Sequence, residues 1–128
     1  MDGIIALNKL GYIGLKGKLP WKSLDDLKHF KKLTMGKSLV VGRKTAEKLP
    51  KLKGRALYIA SSDNPLDSIL KMQPDFIIGG AEIFEQSLHL CDTIHVSLID
   101  DETIGDVKFE IPKNLRSKCI YYHFGVNK

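Results

Sequence analysis

Asp26 is the residue whose type and placement could do chemistry. It follows Ile13-Gly14, Leu19-Pro20-Trp21 and Ser23-Leu24-Asp25, and it precedes Leu27, Phe30 and Thr34. A helix beginning near Leu24 puts Asp26, Phe30 and Leu33 on one stripe. That stripe is apolar apart from the carboxylate and should face inward. A carboxylate in apolar surroundings is costly unless something polar meets it, and a ligand can be that partner. Desolvation would raise its pKa, which suits a group handling protons near neutral pH. A plainer reading stands beside this one. Ser23-x-x-Asp26 fits a capping box, with an acid in the first turn favoured by the helix dipole. Asp25 can satisfy the dipole from the solvent side, which leaves the inward carboxylate without a necessary part in capping.

Two further stretches could bind an anion. Val41-Gly42-Arg43-Lys44-Thr45 and Ile77-Ile78-Gly79-Gly80-Ala81-Glu82 each read as strand, glycine and helix start. Glycine lets the backbone approach a ligand closely, and the first N–H groups of a helix suit phosphate. A glycine in such a place is more often a plain turn. Two such ends in one small sheet, with Ser61-Ser62 closing a third strand, point to a phosphate-bearing cofactor. Neither G-x-G-x-x-G nor a Walker A sequence occurs.

The elements that must position these groups alternate. Strands are expected at Gly3 to Leu7, Ser38 to Gly42, Ala56 to Ala60, Asp75 to Ile78, Thr93 to Leu98, Val107 to Phe109 and Cys119 to Phe124. Helices are expected at Ser23 to Leu33, Lys44 to Leu49, Leu66 to Met72 and Ala81 to Leu88. Lys9 to Lys22 reads as a glycine-punctuated loop and Ile99 to Asp106 as an acidic one. Apolar β-rich runs separated by helices predict an α/β fold, a single domain over residues 1–128 with a predominantly parallel central sheet buried on both faces. Ligands in such folds gather beyond the carboxyl ends of the strands.

Composition narrows the class. With 43% hydrophobic and 27% charged residues, the chain reads as an ordinary soluble globular protein. Its formal charge of +5 owes much to Lys16, Lys18, Lys22, Lys28, Lys31, Lys32 and Lys37. Such a surplus suits nucleic acid, a membrane surface or a small anion. No aromatic residues interleave with these lysines and no nucleic-acid motif occurs, so a small anion is preferred and nucleic acid is not expected. Cys91 and Cys119 lack metal-type spacing and read as reduced thiols of a cytoplasmic protein, with no metal site. Asp2 interrupts any signal peptide, and no apolar run approaches transmembrane length, so no membrane association is expected.

Taken together, these residues resemble dihydrofolate reductase from the first strand to at least Phe109. The matching pieces are Ile4-Ile5-Ala6, Ile13-Gly14, Leu19-Pro20-Trp21, Asp26-Leu27 with Phe30 and Thr34, Val41-Gly42-Arg43-Lys44-Thr45, Gly54-Arg55, Ser61-Ser62, Ile78-Gly79-Gly80 and Gly105-Asp106. The resemblance implies NADPH-dependent reduction of 7,8-dihydrofolate to tetrahydrofolate. Asp26 would hold the pterin and favour its protonation, with Trp21 positioning a water. Ile4, Ala6, Leu27, Phe30, Leu52 and Ile78 would line the folate, Ser97 would bond the acid, and Arg55 would grip the glutamate carboxylate. Ala6, Ile13, Gly14, Gly79, Gly80, Ala81, Glu82 and Ile83 would meet the nicotinamide half. Gly42, Arg43, Lys44, Thr45, Ser61 and Ser62 would meet the adenosine-phosphate side. The Gly11 to Lys18 loop would be a lid steadied by Gly105-Asp106.

The departures from that family lie at the edges. The chain has one C-terminal strand where typical members continue through a hairpin into another, the Ser62 to Asp75 stretch is short, and Glu82 stands where some members have an arginine for the 2′-phosphate. A missing strand leaves a sheet edge to pair. Either the Cys119 to Phe124 strand moves inward to fill the gap, or two chains pair there as a homodimer. Two other functions fit the same sequence: a related reductase of another heterocycle, such as a pyrimidine precursor of riboflavin, and a binding or structural protein that has lost turnover. The Trp21, Asp26 and Phe30 set favours a pterin.

Overall fold

The computed structural model describes residues 1–14 and 19–127. Six strands form one sheet: β1 (Asp2–Asn8), β3 (Ser38–Val41), β4 (Ala56–Ile59), β5 (Phe76–Ile77), β6 (Ile94–Ile99) and β8 (Cys119–Phe124). Their order is β4-β3-β5-β1-β6-β8, and every neighbouring pair is parallel. A separate antiparallel ribbon joins β2 (Tyr12–Gly14) to β7 (Val107–Lys108). Four α-helices lie among the described residues: α1 (Leu24–Thr34), α2 (Arg43–Lys48), α3 (Pro65–Met72) and α4 (Ala81–Ser87).

Local chemistry explains the helix boundaries. Ser23 is the N-cap of α1, its hydroxyl accepting the Asp26 N–H at 3.3 Å. Asp25 and Asp26 occupy the first turn and Lys31 and Lys32 the last, each sign matching the dipole end beside it. Asn64 caps α3 through the Asp67 N–H, with Pro65 just inside the helix.

The two faces of the sheet differ. On one face Ile5, Val40, Ile77, Ile94 and Val96 pack with Ile69 of α3, Ile83 and Phe84 of α4, and Leu88, Phe109, Ile111 and Leu115 in one buried cluster. The other face carries Ile4, Ala6, His95, Ser97 and Tyr122, paired across β1, β6 and β8 in register, and α1 lies over it. The connection from β1 runs to β3 by way of α1, and that from β5 runs to β6 by way of α4 on the opposite face. The strand order therefore reverses between β1 and β5, and in open α/β sheets ligands take the crevice outside the carboxyl ends of the strands at such a point.

Several expectations need correction. The loop predicted from Lys9 to Lys22 contains β2, a strand too short to show a periodic pattern, and residues 15–18 of the expected lid lie outside the described residues. The Ala56 to Ala60 run is not covered on both faces: β4 is exposed along its whole length, because it is an edge strand with one partner. Short 3-10 turns at Leu88–Leu90 and Lys113–Lys118 were not expected. The last strand takes the first of its two expected arrangements. It lies directly on β6, Ile94 opposite Cys119 through Ile99 opposite Phe124, so the edge of β6 is completed within one chain.

Candidate active site

The capped start of α1 turns Asp26 down onto the sheet. Asp26 is 7% exposed and Ser97 3%. Burial is the largest influence on the carboxyl and pushes its pKa up. A hydrogen bond with Ser97 and the charge of His29 pull it back only in part, so it stays above its ordinary value. Ser97 pairs in register with Ala6, which sets the acid over the centre of the sheet. Both readings of the Ser23-to-Asp26 spacing hold. The Asp26 amide is capped while its carboxyl points inward.

The predicted apolar stripe is not fully covered. Asp26 and Thr34 are the buried residues of α1, whereas Phe30 and Leu33 are half-buried and Leu27 is 49% exposed. Leu27 thus lies outside the packed part of this face, because α1 has no layer above it. Trp21 is buried, and its Nε1 lacks a hydrogen-bond partner among the described residues. An orphaned buried donor is a place for a water or a ligand atom.

Arg55 is brought to the far end of α1. It donates from Nη1 to Thr34 Oγ1 at 3.3 Å and from Nε to the Lys53 carbonyl at 3.0 Å, and it lies 6.0 Å from the Phe30 ring centroid. Thr34 in turn donates to the Phe30 carbonyl at 2.8 Å. Gly54 makes this turn: its φ is +78°, and a Cβ there would strike Met35 Sδ. The guanidinium is held over the Phe30 ring by these bonds, and its planar fork suits a carboxylate. Leu52 is half-buried just ahead of it in the chain.

At the crevice the two glycine turns meet. Gly42 N–H donates to the Gly79 carbonyl at 2.9 Å, Ile78 N–H donates to the Val40 carbonyl at 3.0 Å, and the Gly79–Gly80 peptide is cis. A Cβ on Gly80 would stand 2.8 Å from Thr45 Oγ1, and one on Gly42 3.2 Å from Ile83. Ile83 is buried, Ala81 and Thr45 are half-buried, and Arg43, Lys44, Ser61, Ser62 and Glu82 are exposed. Ile4, Ala6, Ile13 and Gly14 are half-buried along β1 and β2.

Four residues that the sequence did not single out organise the site. Asn8 is buried at the end of β1. Its side-chain Oδ1 accepts the Leu10 and Tyr12 N–H groups, and its side-chain Nδ2 donates to Asp101 Oδ2 and the Thr103 carbonyl. It thereby ties the start of the expected lid to the acidic loop, and Asp106 N–H adds a bond to the Gly14 carbonyl at 2.9 Å. Burial pushes Asp101 up, but bonds from Asn8 and Thr103 bring it below the usual carboxylate range. The His29 ring packs tilted against Tyr122 between α1 and β8, and Asn127 reaches the start of α1. A polar residue closing an apolar strand was a usable signal for Asn8. A histidine near Asp26 was one for His29. Nothing local marks Tyr122 or Asn127.

The comparisons with known proteins agree with this geometry. The family model described as dihydrofolate reductase matches residues 1–68 and 53–118. The dihydrofolate reductase of Mycoplasma genitalium is 31% identical over 97% of this chain and 93% of its own length. Dihydrofolate reductase type 1 of Escherichia coli is 34% identical over 88% and 83%, respectively. A solved structure of the Enterococcus faecalis dihydrofolate reductase, complexed with NADP(H) and RAB-propyl, superposes with a TM-score of 0.78 at 30% identity, covering 88% of this chain and 77% of that one. A buried acid over a parallel sheet, paired glycine turns at the crevice and these relatives together establish that the chain belongs to the dihydrofolate reductase family.

Proposed function

We propose that the protein reduces 7,8-dihydrofolate to tetrahydrofolate with NADPH, and that Asp26 is the group that holds the pterin and supports its protonation. The observation that carries this reading is the Asp26 carboxyl, buried against Ser97 with its pKa raised; Trp21 Nε1, five positions earlier in the chain, is also buried and has no hydrogen-bond partner among the described residues. A carboxyl of this kind can hydrogen-bond the edge of a heterocycle and keep a proton available near neutral pH. Trp21 Nε1–H donates to the water or ligand atom that completes the site. Ile4, Ala6, Leu27, Phe30, Leu52 and Ile78 flank the flat ring system, and Arg55 takes the substrate's carboxylate by a paired bond.

The residues at the crevice fit the cofactor. The backbone is closely packed at Gly42 and Gly80, where a Cβ would meet Ile83 at 3.2 Å and Thr45 at 2.8 Å, and Gly79 has a φ of +134° that favours glycine. Ala6, Ile13, Gly14, Ala81, Glu82 and Ile83 would hold the nicotinamide half; Thr45, Ser61, Ser62, Arg43 and Lys44 would take the adenosine and its phosphates. NADPH, when bound, supplies the hydride. No helix among the described residues is long and apolar enough to cross a membrane.

The test follows NADPH absorbance together with fluorescence from Trp21, the sole tryptophan. Addition of NADPH and then dihydrofolate should quench the fluorescence and consume NADPH. Asp26→Asn should still be quenched but turn over about 10²–10⁴-fold more slowly near neutral pH, the usual range for a lost acid–base group. A variant as fast as the parent would remove Asp26 from the reaction.

A further inference from the structure

The edge strand β4 leaves an apolar stretch of chain uncovered. Leu57, Tyr58 and Ile59 are 37%, 45% and 49% exposed, whereas Leu39, Val40 and Val41, their partners on β3, are fully buried. Side chains alternate between the two faces of a sheet, so β4 is bare on both. Its in-plane edge is open as well. The Ala56 N–H donates to the Lys37 carbonyl and the Ala60 N–H to the Val41 carbonyl, both toward β3. Alternation along the strand then turns the N–H and C=O groups of Leu57 and Ile59 to the open side. Among the described residues no second strand pairs with β4. The opposite edge, β8, is better covered, since Tyr122 and Phe124 pack against His29.

Sheet edges are usually blunted by a lysine, a proline or a bulge. Ala56-Leu57-Tyr58-Ile59 has neither a charge nor a proline, and its register with β3 runs without a shift. Charges of opposite sign stand beyond its two ends. Lys53 precedes the strand and Asp63 follows it; both are exposed, and neither is in an ion pair among the described residues. Arg55, between Lys53 and the strand, is turned back to Thr34 and Phe30.

We propose that β4 pairs with the β4 of a second copy of this chain, antiparallel about a two-fold axis through Tyr58, so that the two sheets become one. Leu57 of each copy then stands opposite Ile59 of the other, and the two exchange the outward N–H···O=C bonds on either side of the axis. The Tyr58 rings meet at the axis, on the face that carries Val40 and the buried cluster. The same register sets Lys53 of one copy opposite Asp63 of the other, twice over. Only an antiparallel pairing brings the basic end of the strand to the acidic end of its copy. The contact is isologous and closes at two copies, whereas β4 against β8 would leave both edges free and grow into a filament. It is short beside a standard interface of roughly 1,600 Å², so the dimer should exchange with monomer.

Sedimentation equilibrium from low micromolar to near-millimolar protein reads the assembly. The parent should pass from monomer to dimer with no larger species. Tyr58→Lys puts two like charges at the axis and should stay monomeric, with a far-UV circular dichroism spectrum equal to the parent's. Lys53 is exposed and outside the strands and helices, so Lys53→Glu tests the contact without disturbing the fold. It should raise the dissociation constant about tenfold, because like charges brought together across an interface are costly. Lys53→Glu combined with Asp63→Lys restores opposite signs and should recover the parent's constant. These two variants decide the case if Tyr58→Lys fails to fold. A parent monomeric throughout, a dimer untouched by Tyr58→Lys, or a Lys53→Glu protein that dimerises as tightly as the parent overturns the proposal. Growth beyond two copies overturns it as well.

Discussion

The Asn127 carboxamide accepts the Leu24 N–H at 2.6 Å, while the Asn127 N–H donates to the Lys22 carbonyl at 2.9 Å. The chain's last described residue thereby clasps the four-residue segment between Trp21 and the acid at Lys22 and Leu24. Leu24 is the first residue of α1, and its amide is one of the four that a helix start leaves unpaired. Residues far apart in sequence share the work of holding Asp26: Ser23 caps the Asp26 amide and Asn127 caps the Leu24 amide.

Asn127→Ala removes that acceptor. Loss of one such bond should destabilise the protein by about 1 kcal/mol, and thermal unfolding should shift down by roughly 4 °C for a domain of this size. Asn127→Asp keeps the acceptor oxygen and should recover most of the loss. Equal melting of Asn127→Ala and the parent would show that the clasp is not populated in solution.

Asp26→Asn makes a prediction about stability as well as rate. The native carboxyl has its pKa raised, so between the ordinary value of 3.8 and the raised one the folded state binds more protons than the unfolded chain. Stability from this group is therefore present at low pH and is lost as pH rises through the native value. The asparagine variant avoids burying a charge and should be more stable than the parent at pH 7, with the gap closing on acidification. Chemical denaturation at several pH values measures it. A parent more stable than the variant at neutral pH would reverse the sign.

Arg55→Lys should act on substrate binding rather than on the chemical step. Lysine cannot bond Thr34, lie over Phe30 and present a flat fork at the same time. Charged hydrogen bonds are worth about 1.5–3 kcal/mol, so KM for dihydrofolate should rise about tenfold or more, with kcat little changed. A shortened substrate lacking the glutamate should be reduced equally well by both proteins. A parent that favours the full substrate no more than the lysine variant does would show that Arg55 does not reach the carboxylate.

Gly80→Ala places a methyl group 2.8 Å from Thr45 Oγ1. Overpacking of this kind costs roughly 1–3 kcal/mol. Thr45→Ala in the same chain should relieve much of it, giving a non-additive cycle by thermal unfolding. Strict additivity would mean that the two turns do not touch.

Local chemistry was legible wherever neighbours in sequence decide the outcome. The Ser23 cap and the acidic first turn placed α1 within a residue, and the apolar run from Cys119 to Phe124 matched β8 at both ends. The carboxylate on the inner stripe and the two glycine turns were legible for the same reason, since helix and strand periods fix which face a side chain takes. The proposed adenosine side was less so: Arg43, Lys44, Ser61 and Ser62 are exposed, and only the family resemblance suggested a role for them.

What only tertiary structure decided depends on partners distant in the chain. Ala56–Ile59 and Ile94–Ile99 are both apolar strands, yet the first is an exposed edge and the second is buried between two neighbours. Periodicity reports a strand's faces but not its rank in the sheet. The links from Asn8 to the acidic loop, from Asn127 to Leu24 and from His29 to Tyr122 span 93, 103 and 93 positions. Burial and hydrogen bonding across such separations exist only once the sheet has ordered its strands, and it is there that Asp26 acquires its environment.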